Sequence, residues 1–190
     1  SDMKFISGTS GDCGGNIYVS GNCAMTFENC TFENGLATNW GGNIFQEGGS
    51  LTATNVSLEH GVANCKDNLY NGGGNYFAMS SAVATFDGGV FRDGYSANHG
   101  GNIFVSGSTL TLKNTQVYGG VSYKTGDNIR TYNAAMTLDC SNIEGDMVFE
   151  QNTLTLKNAT KIGLKNTGLC LYNTATRVTA TELTEGAEVY

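Results

Sequence analysis

The sequence predicts an all-β chain folded as a right-handed parallel β-helix, with about six to seven coils of roughly 26 residues and three strands in each coil. A short strand motif centred on threonine recurs along the chain at a nearly fixed period. A Gly-Gly-Asn block recurs with it. The composition includes 27 glycines and no proline, which is typical of many tight turns without proline kinks.

The threonine motif sets the period of the repeat. Apolar residues flank each threonine, and in a strand such neighbours point to the side opposite the threonine. The threonine would therefore face outward and its neighbours inward. Successive threonines are separated by 26, 33, 26, 26 and 18 residues. They are Thr26, Thr52, Thr85, Thr111, Thr137 and Thr155.

Two further strands are predicted in each repeat. One follows the Gly-Gly-Asn block, whose asparagines are Asn16, Asn43, Asn75, Asn102 and Asn128. The other is brief and surrounds an apolar column that comprises Phe32, Leu58, Phe91, Val117 and Ile143. The remaining residues, about eight in each repeat, are predicted to form a loop. Right-handedness follows from the usual hand of parallel crossovers.

Two irregular spacings have local explanations. The long step predicts an insertion at about 69–75, and the short step predicts that residues 145–152 take a shortened route without a Gly-Gly-Asn turn. Residues 1–162 are expected to form the coils. Residues 163–190 are expected to form terminal coils or the start of the next segment of the same solenoid. We expect the chain to be a fragment of a longer secreted protein.

Composition and charge argue against several functional classes. The formal charge is −7, and the ten Lys and Arg residues are scattered, so nucleic-acid binding is not expected. Apolar runs are too short to span a membrane. The six cysteines lack metal-site spacing, so no metal or cofactor is expected, and most should be free thiols.

The repeated columns each allow more than one interpretation. The Asn column is expected to be structural, with side-chain amides bonded to one another and to turn backbone. The Thr column is compatible with ice binding or with an ordinary solvated strand face. A neighbouring outward column favours the solvated face, because its charges alternate from Asp87 onward. It comprises Glu28, Thr54, Asp87, Lys113, Asp139 and Lys157.

An aromatic column is the main candidate for binding. It comprises Tyr18, Phe45, Phe77 and Phe104, with Phe149 as a further member, and it runs beside a column of mostly isoleucines. Adjacent strand residues face opposite sides, so one of the two columns should point outward. Outward aromatics would suit stacking on sugars or docking a protein, whereas inward ones would belong to the core. Tyr70, in the predicted insertion, is included as a candidate binding residue.

Catalysis is not expected in this segment. Polysaccharide-cleaving chemistry needs clustered carboxylates, often with Arg, Lys or Ca²⁺. The aspartates lie in different columns or on distant coils, and His60 and His99 occupy different turn positions. A carbohydrate-active or carbohydrate-binding β-helix remains the alternative to a non-catalytic segment, with an ice-binding protein as a minor alternative.

The repeat motifs also resemble known surface proteins. Gly-Gly-Asn-Ile at 41–44, together with Thr-Phe-Glu-Asn-Cys-Thr-Phe-Glu-Asn-Gly at 26–35, resembles the repeats of chlamydial polymorphic outer-membrane proteins, with Asn in place of their usual Ala. The repeats, with the tail at 180–189, are also similar to the β-helical surface proteins of gut Gram-positive bacteria. The resemblance implies an extracellular, cell-surface adhesin whose partner is a host or bacterial surface protein or glycan.

Overall fold

The computed structural model describes residues 1–64, 71–163, 168–172 and 176–190. Within these residues the chain is all β and contains no helix. The strands of the first half are β1 (Lys4–Ile6), β2 (Thr9–Ser10), β3 (Ile17–Ser20), β4 (Ala24–Glu28), β5 (Thr31–Glu33), β6 (Leu36–Ala37), β7 (Ile44–Glu47), β8 (Ser50–Glu59), β9 (Val62–Ala63), β10 (Tyr76–Met79), β11 (Val83–Arg92) and β12 (Tyr95–Ser96). Those of the second half are β13 (Ile103–Ser106), β14 (Thr109–Lys113), β15 (Gln116–Tyr118), β16 (Val121–Ser122), β17 (Ile129–Tyr132), β18 (Ala135–Asp139), β19 (Asn142–Ile143), β20 (Met147–Glu150), β21 (Thr153–Asn158), β22 (Lys161–Ile162), β23 (Leu169–Tyr172), β24 (Arg177–Leu183) and β25 (Glu188–Val189).

These strands pair in parallel and form three sheets among the described residues. The threonine sheet contains β1, β4, β5, β8, β11, β14, β15, β18, β19, β21, β22, β24 and β25. The aromatic sheet contains β3, β7, β10, β13, β17, β20 and β23, and the short-strand sheet contains β2, β6, β9, β12 and β16. The sheets grow by pairing each strand with its counterpart in the next repeat, an arrangement compatible with a parallel β-helix.

The threonine sheet confirms the predicted strand register. Thr26, Thr52, Thr85, Thr111, Thr137 and Thr155 are paired in one continuous row, which Thr179 extends. The brief strands around Phe32 and its counterparts belong to this same sheet. In β8 and β11 the two predicted strands merge into one strand of ten residues. The bend between them lies at Asn55 and Gly88, which both have positive φ angles.

The short-strand sheet is a correction to the sequence-based expectation. Its strands of two residues lie in segments that were predicted to be loops. They repeat a Gly-x-small pattern, in which the small residue points inward and the preceding residue outward. Ala37, Ala63 and Ser96 are fully buried for this reason.

The main core lies between the sheets. It combines the inward residues of the threonine sheet, such as Leu51 and Phe86, with the isoleucine column of the aromatic sheet, such as Ile103. One polar pair is embedded in it: the Tyr76 hydroxyl donates to Gln46 Oε1 at 2.6 Å. Burial raises the pKa of Tyr76, which keeps its hydroxyl protonated as a hydrogen-bond donor.

The asparagine column confirms its predicted structural role. The five side chains are linked by Nδ2–Oδ1 hydrogen bonds of 2.6–2.7 Å between consecutive repeats. Each Oδ1 also accepts from a glycine N–H, such as Gly61 on Asn75 at 2.9 Å. Each Nδ2 also donates to a backbone carbonyl; Asn75 Nδ2, for example, donates to the Arg92 carbonyl oxygen at 2.9 Å. The column therefore satisfies polar groups that the bend leaves without strand partners.

The glycine pair before each asparagine has two separate requirements. The first glycine, such as Gly100, has a positive φ angle that favours glycine. The second glycine lies against the start of the short-strand sheet. A Cβ on Gly101 would lie 2.3 Å from the backbone nitrogen of Val121 and 2.2 Å from the carbonyl oxygen of Asp127. This close approach explains why two glycines recur rather than one.

The two irregular spacings resolve differently. The offset between paired residues rises from 26 at Ala37 and Ala63 to 32 at Trp40 and Gly72, so six of the seven additional residues fall at 65–70, outside the described residues. The seventh lies between Met79 and Val83, where the offset rises from 32 to 33. Residues 71–75 keep the regular register, so the insertion was predicted too late in the chain. The shortened route is confirmed, because only three residues connect β19 to β20. No short strand forms between them.

Candidate functional site

The predicted aromatic column is a row of the aromatic sheet, but it is largely covered. Phe45, Phe77 and Phe104 pair in register and are each 1 % exposed. They point away from the main core, yet they form a second apolar cluster with Cys13. The expectation of an exposed stripe is therefore wrong for these three residues. Tyr70 lies outside the described residues.

A column of bend residues explains this burial. Cys13, Trp40, Gly72, His99 and Thr125 follow one another in parallel bridges beside the aromatic sheet. Within this column the indole of Trp40 stacks on Phe45 and Phe77 with ring centroids 5.5 Å and 6.1 Å away. The alternation of strand residues predicts which side the phenylalanines face, but the chain segment that crosses over that side decides their exposure.

Tyr18 is the member of the column that stays accessible. It is 53 % exposed, and its hydroxyl donates to Glu47 Oε2 at 2.5 Å. This hydrogen bond raises the pKa of Tyr18 to about 12. The tyrosine ring lies 5.0 Å from Phe45, so it forms the end of the covered row. Its predicted role in binding stays a prediction.

Two other positions in this sheet differ from expectation. Phe149 pairs with Thr131 and is buried in the main core, so it is not a member of the aromatic column. Val148 holds that position and pairs with Arg130. The Arg130 guanidinium forms an ion pair with Glu150 at 2.5 Å, which lies over the aromatic sheet.

The outward face of the threonine sheet is polar and charged. The column from Glu28 to Lys157 has the predicted register, and Lys113 Nζ lies 2.9 Å from Asp87 Oδ2. Hydrogen bonds from Lys113 and Asn114 hold the pKa of Asp87 below its ordinary value. An exposed ion pair of this kind contributes little to stability, but it disfavours slipped strand registers. Ice binding by the adjacent threonines stays an untested prediction.

The short-strand sheet carries large apolar side chains on its outward face. Its outer residues pair directly from repeat to repeat, beginning with Thr9. The four that follow Thr9 form what we call the apolar ladder: Leu36, Val62, Tyr95 and Val121. Leu36 is 40 % exposed, Tyr95 37 % and Val121 54 %. Tyr123, two residues after Val121, is 73 % exposed.

A polar border runs along one side of the apolar ladder. It consists of Asn34, His60 and Asp93, which are exposed and have positive φ angles. His60 Nε2 lies 3.6 Å from Asp93 Oδ2. Sequence reasoning missed this surface because it assigned these segments to loops. The signal that could have revealed it is the recurring Gly-x-small pattern, with Leu, Val, Tyr and Val at the middle position.

Other chemical groups are dispersed among the described residues. No set of three or more His, Cys, Asp or Glu side chains there is arranged to hold a metal ion. The described cysteines are free, and Cys65 lies outside the described residues. The described part of the chain contains no helix that could cross a membrane.

His99 makes stability depend on pH. It is partly buried, its Nδ1 lies 2.8 Å from Thr125 Oγ1, and its ring packs edge-on against Phe104. Burial, with smaller contributions from Arg130 and Lys124, lowers the pKa of His99 to about 4 from an ordinary value of 6.5. Between these values the unfolded chain binds more protons. The stabilisation is therefore complete above pH 6.5 and is lost as the pH falls towards 4.

We expect His99→Gln to flatten this dependence. The fall in unfolding free energy from pH 7.5 to pH 4.5 should be about 2–3 kcal/mol smaller in the variant than in the parent, since one pKa unit corresponds to about 1.4 kcal/mol. Urea unfolding at both pH values measures it. Asn22→Ala, at an exposed turn, is the control and should keep the parent profile. An equally steep profile in His99→Gln would contradict the assignment.

Comparison with known proteins gives no match. No protein-family model, curated protein or solved structure matches this chain. The resemblance to bacterial surface proteins therefore rests on the repeat motifs alone, and the geometry of the described residues carries the functional argument.

Proposed function

We propose that this chain is a non-catalytic, extracellular adhesive segment, folded as a right-handed parallel β-helix that presents a binding face. The observation that carries the proposal is the exposed apolar ladder of the short-strand sheet. Large apolar side chains that line up on successive strands, rather than lie scattered singly, form a candidate interaction surface. The parallel register through successive repeats supplies a firm support for such a face.

Comparison of the two outward faces supports this proposal. The outward positions of the threonine sheet are mainly threonine, serine or charged residues, as expected for a solvated strand surface. Four of the five outward positions of the short-strand sheet are large and apolar, and the fifth is Thr9. Packing does not demand this, because the inward residues of the same strands are small and buried. A binding role accounts for apolar side chains where the fold would accept polar ones.

A pair of matched valine variants tests the proposal. Val121→Asp places a charge in the apolar ladder, and Val83→Asp places the same charge on the threonine sheet, where Val83 is 49 % exposed. The labelled chain is added to immobilised mucin, extracellular-matrix proteins, epithelial cells and bacterial cells. We expect the parent to bind at least one of these surfaces. The affinity should fall by about tenfold or more in Val121→Asp and stay unchanged in Val83→Asp.

Two results would overturn the assignment. One is the absence of binding to every surface tested, and the other is an equal loss in both valine variants. Thermal unfolding of each variant shows whether the fold is intact. If Val121→Asp is unfolded, Val121→Ser replaces it, because serine removes the apolar side chain without adding a charge.

A further inference from the structure

The apolar ladder is too small for a stable protein interface. The ladder crosses four neighbouring strands about 4.8 Å apart, and each of these strands is counted here as one row. One or two residues in each row face outward, so the ladder covers on the order of 200 Å². A stable protein complex buries about 800 Å² on each partner. The dimensions instead suit a narrow, linear ligand that lies across successive strands.

The repeat of the ladder matches a polymer of sugar rings. The distance of about 4.8 Å between neighbouring strands is close to the length of one pyranose residue in an extended chain. A linear glycan that lies perpendicular to the strands would therefore place one sugar on each row. A polypeptide strand in the same direction has a shorter repeat per residue and loses this match.

The side chains on and beside the ladder have the chemistry that sugars require. Tyr95 and Tyr123 offer exposed aromatic rings on which the C–H face of a pyranose can stack. The amide of Asn34, the imidazole of His60 and the carboxylate of Asp93 border the ladder and can bond to hydroxyl groups. Stacking surface and hydrogen-bonding groups thus lie side by side.

Charge narrows the class of glycan further. The chain has a formal charge of −7, and Asp93 and Asp127 are exposed near the ladder. Anionic polysaccharides would be repelled by this surface, whereas neutral ones would not. The partner is therefore expected to carry hydroxyl or acetamido groups rather than carboxylates or sulfates.

We propose that the apolar ladder binds a linear, neutral glycan that lies across the short-strand sheet, with one sugar ring on each of the four rows. The proposal rests on the adhesive function of this same surface. In the complex, the rings of Tyr95 and Tyr123 stack on sugar rings. The hydroxyl groups at the edge of the glycan form hydrogen bonds with the polar border.

Titration calorimetry tests the binding of a linear, neutral glycan. The ligands are β-1,4-linked oligomers of glucose and of N-acetylglucosamine, two to six units long. Affinity for one series should rise with length up to about four units and then level off, because the ladder has four rows. Tyr95→Ala and Tyr123→Ala should each weaken binding by about tenfold, the usual scale of a lost aromatic contact. Tyr190→Ala is the matched control, since Tyr190 is an exposed tyrosine that follows β25 of the threonine sheet, and it should bind as the parent does.

Several outcomes would overturn the inference. They are no binding of either series at millimolar concentration, equal losses in Tyr190→Ala and Tyr95→Ala, or stronger binding of polygalacturonate than of neutral oligomers. If the chain adheres to cells or proteins through Val121 but binds no oligomer, the glycan inference fails while the adhesive function stands. Thermal unfolding verifies that each tyrosine variant is folded.

Discussion

Asn75→Leu is expected to lower the free energy of unfolding by about 4 kcal/mol, because it removes four hydrogen bonds in the interior, each worth about 1 kcal/mol. Asn75 is fully buried. Its Oδ1 accepts from Asn43 Nδ2 at 2.7 Å, and its Nδ2 donates to Asn102 Oδ1 at 2.6 Å. It also bonds to the Gly61 N–H and the Arg92 carbonyl. Leucine would remove all four hydrogen bonds and leave the Gly61 N–H without a partner. Asn43 Nδ2, Asn102 Oδ1 and the Arg92 carbonyl would each keep one other hydrogen bond.

Urea unfolding of the parent and variant measures this loss. Asn75→Asp provides a second test, because it keeps the acceptor but loses both donors and brings a carboxylate towards two oxygens. It should also be strongly destabilising. Asn22→Ala, at an exposed turn, is the control and should change stability by less than about 0.5 kcal/mol. A loss below about 1 kcal/mol in Asn75→Leu would show that the asparagine column is not what holds the bends.

Gly101→Ala is expected to destabilise the chain by roughly 3–5 kcal/mol, which is the range of severe single substitutions. The added Cβ would lie 2.2 Å from the carbonyl oxygen of Asp127 and 2.3 Å from the backbone nitrogen of Val121. Both neighbours are backbone atoms and cannot turn aside as a flexible side chain would. Relief of the overlap must displace the start of β16, so binding through the apolar ladder should fall as well.

Chemical denaturation and the adhesion assay together measure this effect. Gly11→Ala is the matched control, because its Cβ would meet no atom within 4 Å and its φ angle is not positive. It should leave stability and binding within experimental error of the parent. Gly101→Ala with parent-like stability would contradict the close approach of the turn to the short-strand sheet.

The strand register could be predicted because side chains of similar type recur at equivalent positions of successive strands. Thr111 and its counterparts, the asparagines before the aromatic sheet and the alternating charges beside Lys113 all lie in the predicted rows. A strand of five residues has enough positions to show alternation between apolar and polar side chains. The turn asparagines recur because each bend must satisfy the same backbone groups.

The short-strand sheet could not be recognised by the same reasoning. Leu36 and Ala37 form a strand of two residues, which is too short to show any alternation. Its existence depends on pairing with equally short strands in neighbouring repeats, which is a tertiary effect. Comparison of the repeats with one another, rather than each segment alone, shows the pattern that leads to the candidate site.

The exposure of the aromatic column could not be predicted from the alternation of strand residues. The alternation of Ile103 and Phe104 shows that they face opposite sides of a strand. It does not reveal that the bend containing Trp40 and His99 passes over the outer side. Such coverage arises from the path of the chain between strands, and spacing along the sequence carries no information about it.

The apolar ladder ends where the next repeat lacks a short strand, and the turn motif carries a substitution at that point. Asp127 occupies the position of the second glycine, and its Oδ1 accepts hydrogen bonds from the N–H and hydroxyl of Ser122 at 3.0 Å and 3.1 Å. A side chain is tolerated there because the next repeat passes from β19 to β20 without a short strand beside it. In-frame duplication of one complete repeat upstream of this turn would therefore add one row and leave both ends unchanged. Recombination between similar repeats can thus adjust the valency of the surface in steps, without any new fold or new contact chemistry.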